Sequence, residues 1–111
     1  MSEILVEEVV QALESRGESR LLEAARQHGV QIRSRSSVET ATLLRIFVGR
    51  LRRMSSENPI VSQVRELVSG LEGSASREIS LVKIAIGDER AILYVDEERR
   101  KVLTIVPFRF D

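Results

Sequence analysis

The period of the apolar residues changes once along the chain, and this change constrains the fold more than any other feature. Up to Gly73 the apolar residues recur at helical spacing, and from Ile79 onward they form runs rich in β-branched residues. The first pattern predicts amphipathic helices and the second predicts strands. A chain of 111 residues has the length of one domain. We therefore expect a single α+β domain over 1–111, with about four N-terminal helices (1–73) packed on a C-terminal antiparallel meander of three to four strands (77–110).

The third helix has the clearest start signal. Ser36 and Glu39 match a capping box, and an apolar stripe at helical spacing runs from Val38 to Met54. Gly49 lies inside this helix, where glycine costs about 1 kcal/mol relative to alanine. We expect another backbone to approach closely at Gly49.

The other helices are predicted from their caps and stripes. The first runs from Ser2 to about Ser15, and the second follows Ser19 as its N-cap. The fourth begins at Asn58-Pro59, with Pro59 in the first helical position and Ile60 as the first residue of its core stripe.

The strands of the meander are predicted over Ile79–Ile86, Ala91–Val95 and Val102–Phe110. The short turns between them, which include Gly87, favour hairpins. Gln31–Ser37 fits two interpretations equally well, a short edge strand or an exposed loop.

The predicted strands are apolar on both faces, whereas a half-exposed sheet alternates apolar and polar residues. If all the helices cover one face, the other face is left exposed, and such a patch is typical of an interface. This predicts a homodimer or higher homo-oligomer assembled through the sheet. The alternative is that the helices are divided between both faces.

Positive charge is concentrated in the middle of the chain. Residues 31–65 contain seven arginines and two glutamates, although the whole chain carries 17 basic and 17 acidic residues. A local excess of arginine is typical of a phosphate-binding surface, because guanidinium contacts phosphate in a bidentate manner. It also fits a solvated helix face or an arginine-rich genome.

The candidate nucleic-acid-binding residues fall into two groups. The first group lies on or just before the third helix, away from its apolar stripe, and is predicted to form one continuous surface: Arg33, Arg35, Arg45, Arg52 and Arg53. Arg50 lies nearer the edge of the stripe. The second group alternates along the last strand, where aromatic rings can stack on bases and an arginine can hold the backbone: Phe108, Arg109 and Phe110. Packing of these aromatics in the core is the other interpretation.

Other chemistries lack a recognisable signature. The chain has no cysteine, which excludes thiolate metal sites. It has one histidine, and no sequence motif supplies that histidine with a partner for nucleophilic catalysis. No phosphate-binding glycine loop is present. We therefore expect no enzyme activity, no cofactor and no metal. No apolar run approaches a membrane span, and the N-terminus lacks a basic signal region, so we expect no membrane association and a cytoplasmic location.

The order of elements and the candidate arginines of the first group resemble the single-stranded DNA-binding proteins of thermophilic archaea that lack the oligonucleotide-barrel fold, together with their smaller relatives. This resemblance is architectural and has no diagnostic motif. It implies an arginine-lined cleft, apolar sheet surface used for assembly, and binding of single-stranded DNA.

A second resemblance lies in the segment 83–97 and the strand that follows it. Its glycine-aspartate-x-arginine hairpin, Gly87 to Arg90, leads into a strand with Tyr94 and Asp96 and resembles the C-terminal meander of RelE/ParE-type toxins. The resemblance implies an mRNA nuclease or a gyrase poison with Arg90 in the site. The first strand of that family and its basic C-terminus are missing here.

The sequence thus leads to one main expectation and two alternatives. The main one is a non-enzymatic protein that binds single-stranded nucleic acid, most simply DNA, through phosphates on its arginine face. The alternatives are a RelE/ParE-like toxin, and a structural or adaptor protein whose arginines are only solvated. Helices two and three also allow a helix-turn-helix, although their connection is longer than usual.

Overall fold

A computed structural model describes residues 4–108 of the chain, and only the backbone of Phe108. Within this range the chain forms helices α1 (Val6–Ser15), α2 (Ser19–His28), α3 (Thr40–Arg53) and α4 (Val61–Gly73). The strands are β1 (Gln31–Glu39), β2 (Glu78–Ile86), β3 (Glu89–Asp96) and β4 (Lys101–Phe108). This is the α+β fold that the sequence predicts. None of the helices found in residues 4–108 is both long and apolar enough to cross a membrane.

The four strands form one antiparallel sheet in the order β1-β2-β3-β4. Tight hairpins join β2 to β3 and β3 to β4, and Gly87 at the first turn has a φ of 59°, which glycine adopts without strain. The α3–α4 pair is inserted between β1 and β2. The backbone N–H of Thr40 donates to Arg77 O at 2.8 Å, which closes the base of this insertion.

The helices are divided between the two faces of the sheet. α1 and α2 pack on one face, where Val82, Ile84 and Leu93 are fully buried. α3 and α4 pack on the other face, against Ile79 and Tyr94. The expectation of an uncovered apolar face is therefore wrong, although both faces are apolar as predicted. The argument for assembly through the sheet loses its basis, and self-association stays a prediction.

The segment before α3 is a strand, and the predicted capping box does not form. β1 extends to Glu39, and Val38, predicted to lie in the helical stripe, pairs with Ile79 of β2. The cap position of α3 is Glu39, which makes no side-chain capping hydrogen bond. Pairing with β2 satisfies backbone groups of alternate residues along the whole length of β1 and lets Val38 pack against the α3–α4 core, whereas a cap satisfies only one or two backbone groups. The strand also divides the segment 1–73, which the sequence predicts to be mainly helical.

The remaining helices differ from prediction mainly at their ends. α1 begins at Val6, and the predicted start at Ser2 lies outside the described residues. α4 begins at Val61, because Asn58 Oδ1 accepts the N–H of Ile60 at 3.1 Å and holds Pro59 in a turn. Ile60, predicted to be buried, is 41% exposed.

The helix glycine that another element approaches closely is Gly70 of α4, where a side chain lies against the helix backbone, and not Gly49. A Cβ at Gly49 would meet only the side chain of Arg53, at 3.5 Å, whereas a Cβ at Gly70 would lie 3.1 Å from Leu103 Cδ2. Gly70 therefore lets α4 lie close to β4. The expectation for Gly49 is wrong, since a glycine inside a helical pattern does not identify which element packs there.

Thr104 provides a test of core energetics. Its side chain is 0% exposed, and its hydroxyl has no hydrogen-bond partner within residues 4–108. A buried unpaired hydroxyl costs about 1–3 kcal/mol. We expect the isosteric change Thr104→Val to raise the free energy of unfolding by about 1 kcal/mol and the melting temperature by about 4–8 °C. Thermal unfolding followed by circular dichroism measures both.

Thr40→Val is the matched control. The hydroxyl of Thr40 donates to Ser76 O at 2.6 Å, so the same substitution there removes a hydrogen bond and is expected to lower the melting temperature. Equal shifts in the two variants would show that the Thr104 hydroxyl is not a destabilising group.

Candidate nucleic-acid interface

Helix α3 carries four arginines and no acidic residue, and its helical phase separates them into two pairs. At about 100° per residue, Arg45 and Arg52 project from the side opposite the core residue Phe47. Arg50 and Arg53 project from one flank of the helix, next to the buried side. All four side chains are exposed. Within residues 4–108, none of them forms an ion pair with a carboxylate.

A cavity of about 430 Å³ lies between α3, α4 and the sheet, and it is called the α3–α4 cavity below. Its volume falls within the range of small-molecule sites, about 300–1,000 Å³. Its lining is mainly apolar and includes the following side chains: Phe47, Met54, Val64, Ile92, Tyr94 and Val106. Arg50 and Arg53 also line the cavity, and none of the acidic residues within 4–108 does. The cavity therefore combines an apolar interior with a positively charged edge.

Aromatic contacts fix the floor of the α3–α4 cavity and one of its arginines. The rings of Phe47 and Tyr94 meet edge to face, with centroids 5.7 Å apart and planes at 84°. The guanidinium carbon of Arg50 lies 5.3 Å from the centroid of Phe47. This is a cation–π distance, at which the ring attracts the cation. Arg50 is thus held at the cavity without an anion to neutralise it.

Tyr94 contributes a hydroxyl to this apolar lining. Burial raises the pKa of the Tyr94 phenol above its ordinary value, and the positive charge of Arg50 opposes that rise. Since the net shift is upward, the hydroxyl is protonated at neutral pH and can donate a hydrogen bond. No hydrogen bond of this group to another described residue is found.

The start of α4 forms another part of the cavity edge. Ile60 and Gln63 line the cavity there, so the N-terminal end of the helix lies beside it. The partial positive charge of a helix N-terminus favours anions. No group of three or more His, Asp or Glu side chains in residues 4–108 could hold a metal ion.

Arg35 does not continue the surface of α3. Arg35 pairs in register with Val82, which belongs to the α1–α2 core, so its side chain faces α1. There it donates to Ile4 O and to Glu97 Oε1, the latter at 3.3 Å. Arg33 lies at a bulge in β1 and donates to Gln31 Oε1 at 3.3 Å. The sheet therefore separates Arg35 from the arginines of α3, and the five predicted residues do not form one continuous surface.

Ion pairs are concentrated on the α1–α2 side of the molecule. Arg20 of α2 pairs with Glu89 at 2.6 Å, and Arg100 Nε donates to Glu8 of α1 at 2.9 Å. These two contacts join α2 and α1 to the hairpins of the sheet, and the Arg35–Glu97 pair joins β1 to the β3–β4 turn. These three arginines are thus neutralised by carboxylates, whereas within residues 4–108 those of α3 are not.

The remaining predicted residues lie at the end of β4 and in the first hairpin. The backbone of Phe108 pairs with Arg90, while Arg109 and Phe110 lie outside the described residues. Arg90, the residue that the toxin resemblance implies in a site, donates to the carbonyl oxygens of Gly87 and Glu89 at 2.9 and 3.0 Å. These bonds, both from Nη1, brace the hairpin.

Of the two arginines that border the cavity, the sequence predicts Arg53 as a binding residue and places Arg50 only near the edge of the apolar stripe, while the predicted Arg45 and Arg52 do not line the cavity. The available signal was the spacing from Phe47, since residues three positions apart lie on neighbouring parts of a helix surface. Tyr94 could be found only from the register of β3 against β2 and β4. Comparison of the chain with protein-family models, curated proteins and solved structures finds no match.

Proposed function

We propose that this protein is a non-enzymatic, single-stranded nucleic-acid-binding protein, and that the α3–α4 cavity is its binding site. A base enters the cavity, and the neighbouring phosphates are held by Arg50 and Arg53. These two arginines are called the arginine rim below. We propose single-stranded DNA as the ligand, following the architectural resemblance to single-stranded DNA-binding proteins.

One observation carries the proposal: an apolar cavity bordered by two exposed arginines that no described carboxylate neutralises. A ligand that fits must offer an apolar or aromatic part together with negative charge. A nucleotide within a single strand has both, because its base is free to leave the stack. A base paired within a duplex is not free in this way and must first be flipped out at a cost of a few kcal/mol.

The residues around the cavity have separate roles in this proposal. The side chains of Met54, Ile92 and Val106 offer apolar contact to the base, and the Tyr94 hydroxyl donates to an acceptor on its edge. The arginine rim neutralises phosphate and releases counterions, which supplies most of the affinity. No bond is made or broken in the ligand.

The proposal is tested by fluorescence anisotropy with labelled single-stranded DNA, single-stranded RNA and duplex DNA of equal length. We expect the single strands to bind more tightly than the duplex. For single strands the logarithm of the association constant should fall with the logarithm of salt concentration by about 0.7 for each neutralised phosphate. Binding that is equal for single strand and duplex, or unchanged between about 50 and 200 mM salt, would rule out this mechanism.

The proposal does not require a second copy of the chain, because the cavity and its rim lie within one chain. Self-association is a separate expectation, and light scattering at several protein concentrations checks it. A mass that stays at one chain throughout would contradict it and would leave the proposed site unchanged.

A further inference from the structure

At one end of the sheet face on which α3 and α4 pack, next to the cavity, Ser34 and Lys83 are exposed. Lys83 pairs in register with both Ser34 and Ile92, and Arg90 lies two residues before Ile92 on β3. All four side chains therefore belong to the face on which α3 and α4 pack. These residues, Ser34, Lys83, Arg90 and Ile92, are called the open end of the sheet below.

The open end of the sheet is contiguous with the cavity through Ile92, which belongs to both. Cross-strand neighbours such as Lys83 and Ile92 have Cβ atoms about 5 Å apart. Alternate residues on a strand, such as Arg90 and Ile92, are separated by about 7 Å. Both cations are thus within side-chain reach of a chain that leaves the cavity along the sheet.

The cations at the open end are not neutralised by described carboxylates, unlike Arg20, Arg35 and Arg100 on the opposite face. Lys83 is exposed and makes no ion pair or hydrogen bond with another residue of 4–108. Arg90 is held in place by the two carbonyl oxygens of its hairpin, both bonded to Nη1. Guanidinium has five N–H donors, so the rest of the group remains able to contact an anion. Glu89, the nearest acidic neighbour in sequence, pairs with Arg20 on the other side of the sheet.

We infer that Lys83 and Arg90 form a second phosphate-binding point, and that a bound single strand runs from the arginine rim, past the cavity, and across the open end of the sheet. This rests on the proposed function and extends it by giving the strand a path. A polyanion is the favoured occupant, because positive side chains stand on both sides of one apolar cavity and a single strand repeats its phosphates along its length.

The test is the effect of Lys83→Ala on binding of labelled oligothymidylates of increasing length, from about 4 to about 16 nucleotides, the range of small single-strand sites. We expect affinity for the longest probe to fall about three- to tenfold and the magnitude of its salt slope to fall by about 0.7. The shortest probe, held by the cavity and the rim alone, should bind as it does to the unchanged protein.

Lys101→Ala is the matched control, since Lys101 is the other lysine of the chain and lies at the opposite end of the sheet, opposite Asp96 in the strand register. Arg90→Ala should act like Lys83→Ala, and Arg90→Lys should restore most of the salt slope because it keeps the charge. Melting curves of the Arg90 variants show whether the hairpin is intact.

The outcomes separate this inference from the proposed function. Equal losses of affinity in Lys83→Ala and Lys101→Ala would overturn the proposed path of the strand. So would unchanged affinity in Lys83→Ala if Arg50→Ala and Arg53→Ala both weaken binding. Either result leaves the cavity as the binding site. Absence of binding to every probe by the unchanged protein would overturn both. A loss confined to Lys83 and Arg90 variants and to long probes supports the path.

Discussion

Replacing Arg50 and Arg53 together by alanine is expected to lower the affinity for single-stranded DNA by about 100-fold, since each lost charged contact costs about 1.4 kcal/mol or more. The salt slope should fall in magnitude by about 1.4, which is twice the value for one phosphate. Both arginines border the α3–α4 cavity, so their loss removes charge where the base enters. Anisotropy titrations at several salt concentrations measure the affinity and the slope together.

The double variant Arg45→Ala with Arg52→Ala is the control for this result. It removes the same charge from the same helix, and both residues are exposed, but they project away from the cavity. We expect a smaller loss of affinity from the control. Equal losses in the two variants would mean that α3 acts only through its net charge and that the cavity has no special role. Arg50 also packs over Phe47, so thermal melts must show that both variants are folded.

The strand part of the fold is predictable from the sequence because its contacts are local. β2, β3 and β4 are joined by short turns, and the positive φ of Gly87 agrees with the sequence signal at that position. β1 is not predictable in the same way, since its partner β2 lies beyond two helices. Its polar residues, including Arg33 and Arg35, fit an edge strand and a loop equally well until that pairing is known.

The placement of the helices illustrates a different limit. An apolar stripe identifies which side of a helix is buried, but it does not identify the surface that buries it. The insertion of α3 and α4 between β1 and β2 places that pair on one face, while α1 and α2 precede β1 and cover the other. The same limit explains why the arginines that border the cavity are not identified from the sequence. Helical phase separates Arg45 from Arg50 but cannot show where a cavity opens.

A buried carboxylate joins the end of α4 to the end of β3. Asp96 is 1% exposed and accepts hydrogen bonds from the hydroxyls of Ser74 and Ser76, at 2.8 and 2.6 Å. The backbone N–H of Arg99 also points to it, at 3.4 Å. Burial alone would raise the pKa of the Asp96 carboxyl. The hydrogen bonds from Ser76, Ser74 and Arg99, together with the charge of Arg99, outweigh burial and hold the pKa below its ordinary value.

Asp96→Asn is therefore expected to lower the free energy of unfolding at neutral pH by about 1.5–3 kcal/mol, the contribution of hydrogen bonds to a charged group. The folded-state pKa is depressed, so this stabilisation is present above the unfolded-state pKa of about 3.9 and is lost as pH falls through the folded-state value. Urea unfolding from pH 7 to pH 3 gives the free energy of unfolding of the unchanged protein and of the variant. The difference between these two free energies should become smaller below about pH 4. Asp88→Asn, at an exposed carboxylate in the β2–β3 turn, should show no comparable loss at neutral pH. A difference that stays constant down to pH 3 would mean that the two hydroxyls stabilise Asp96 through geometry, independently of its charge.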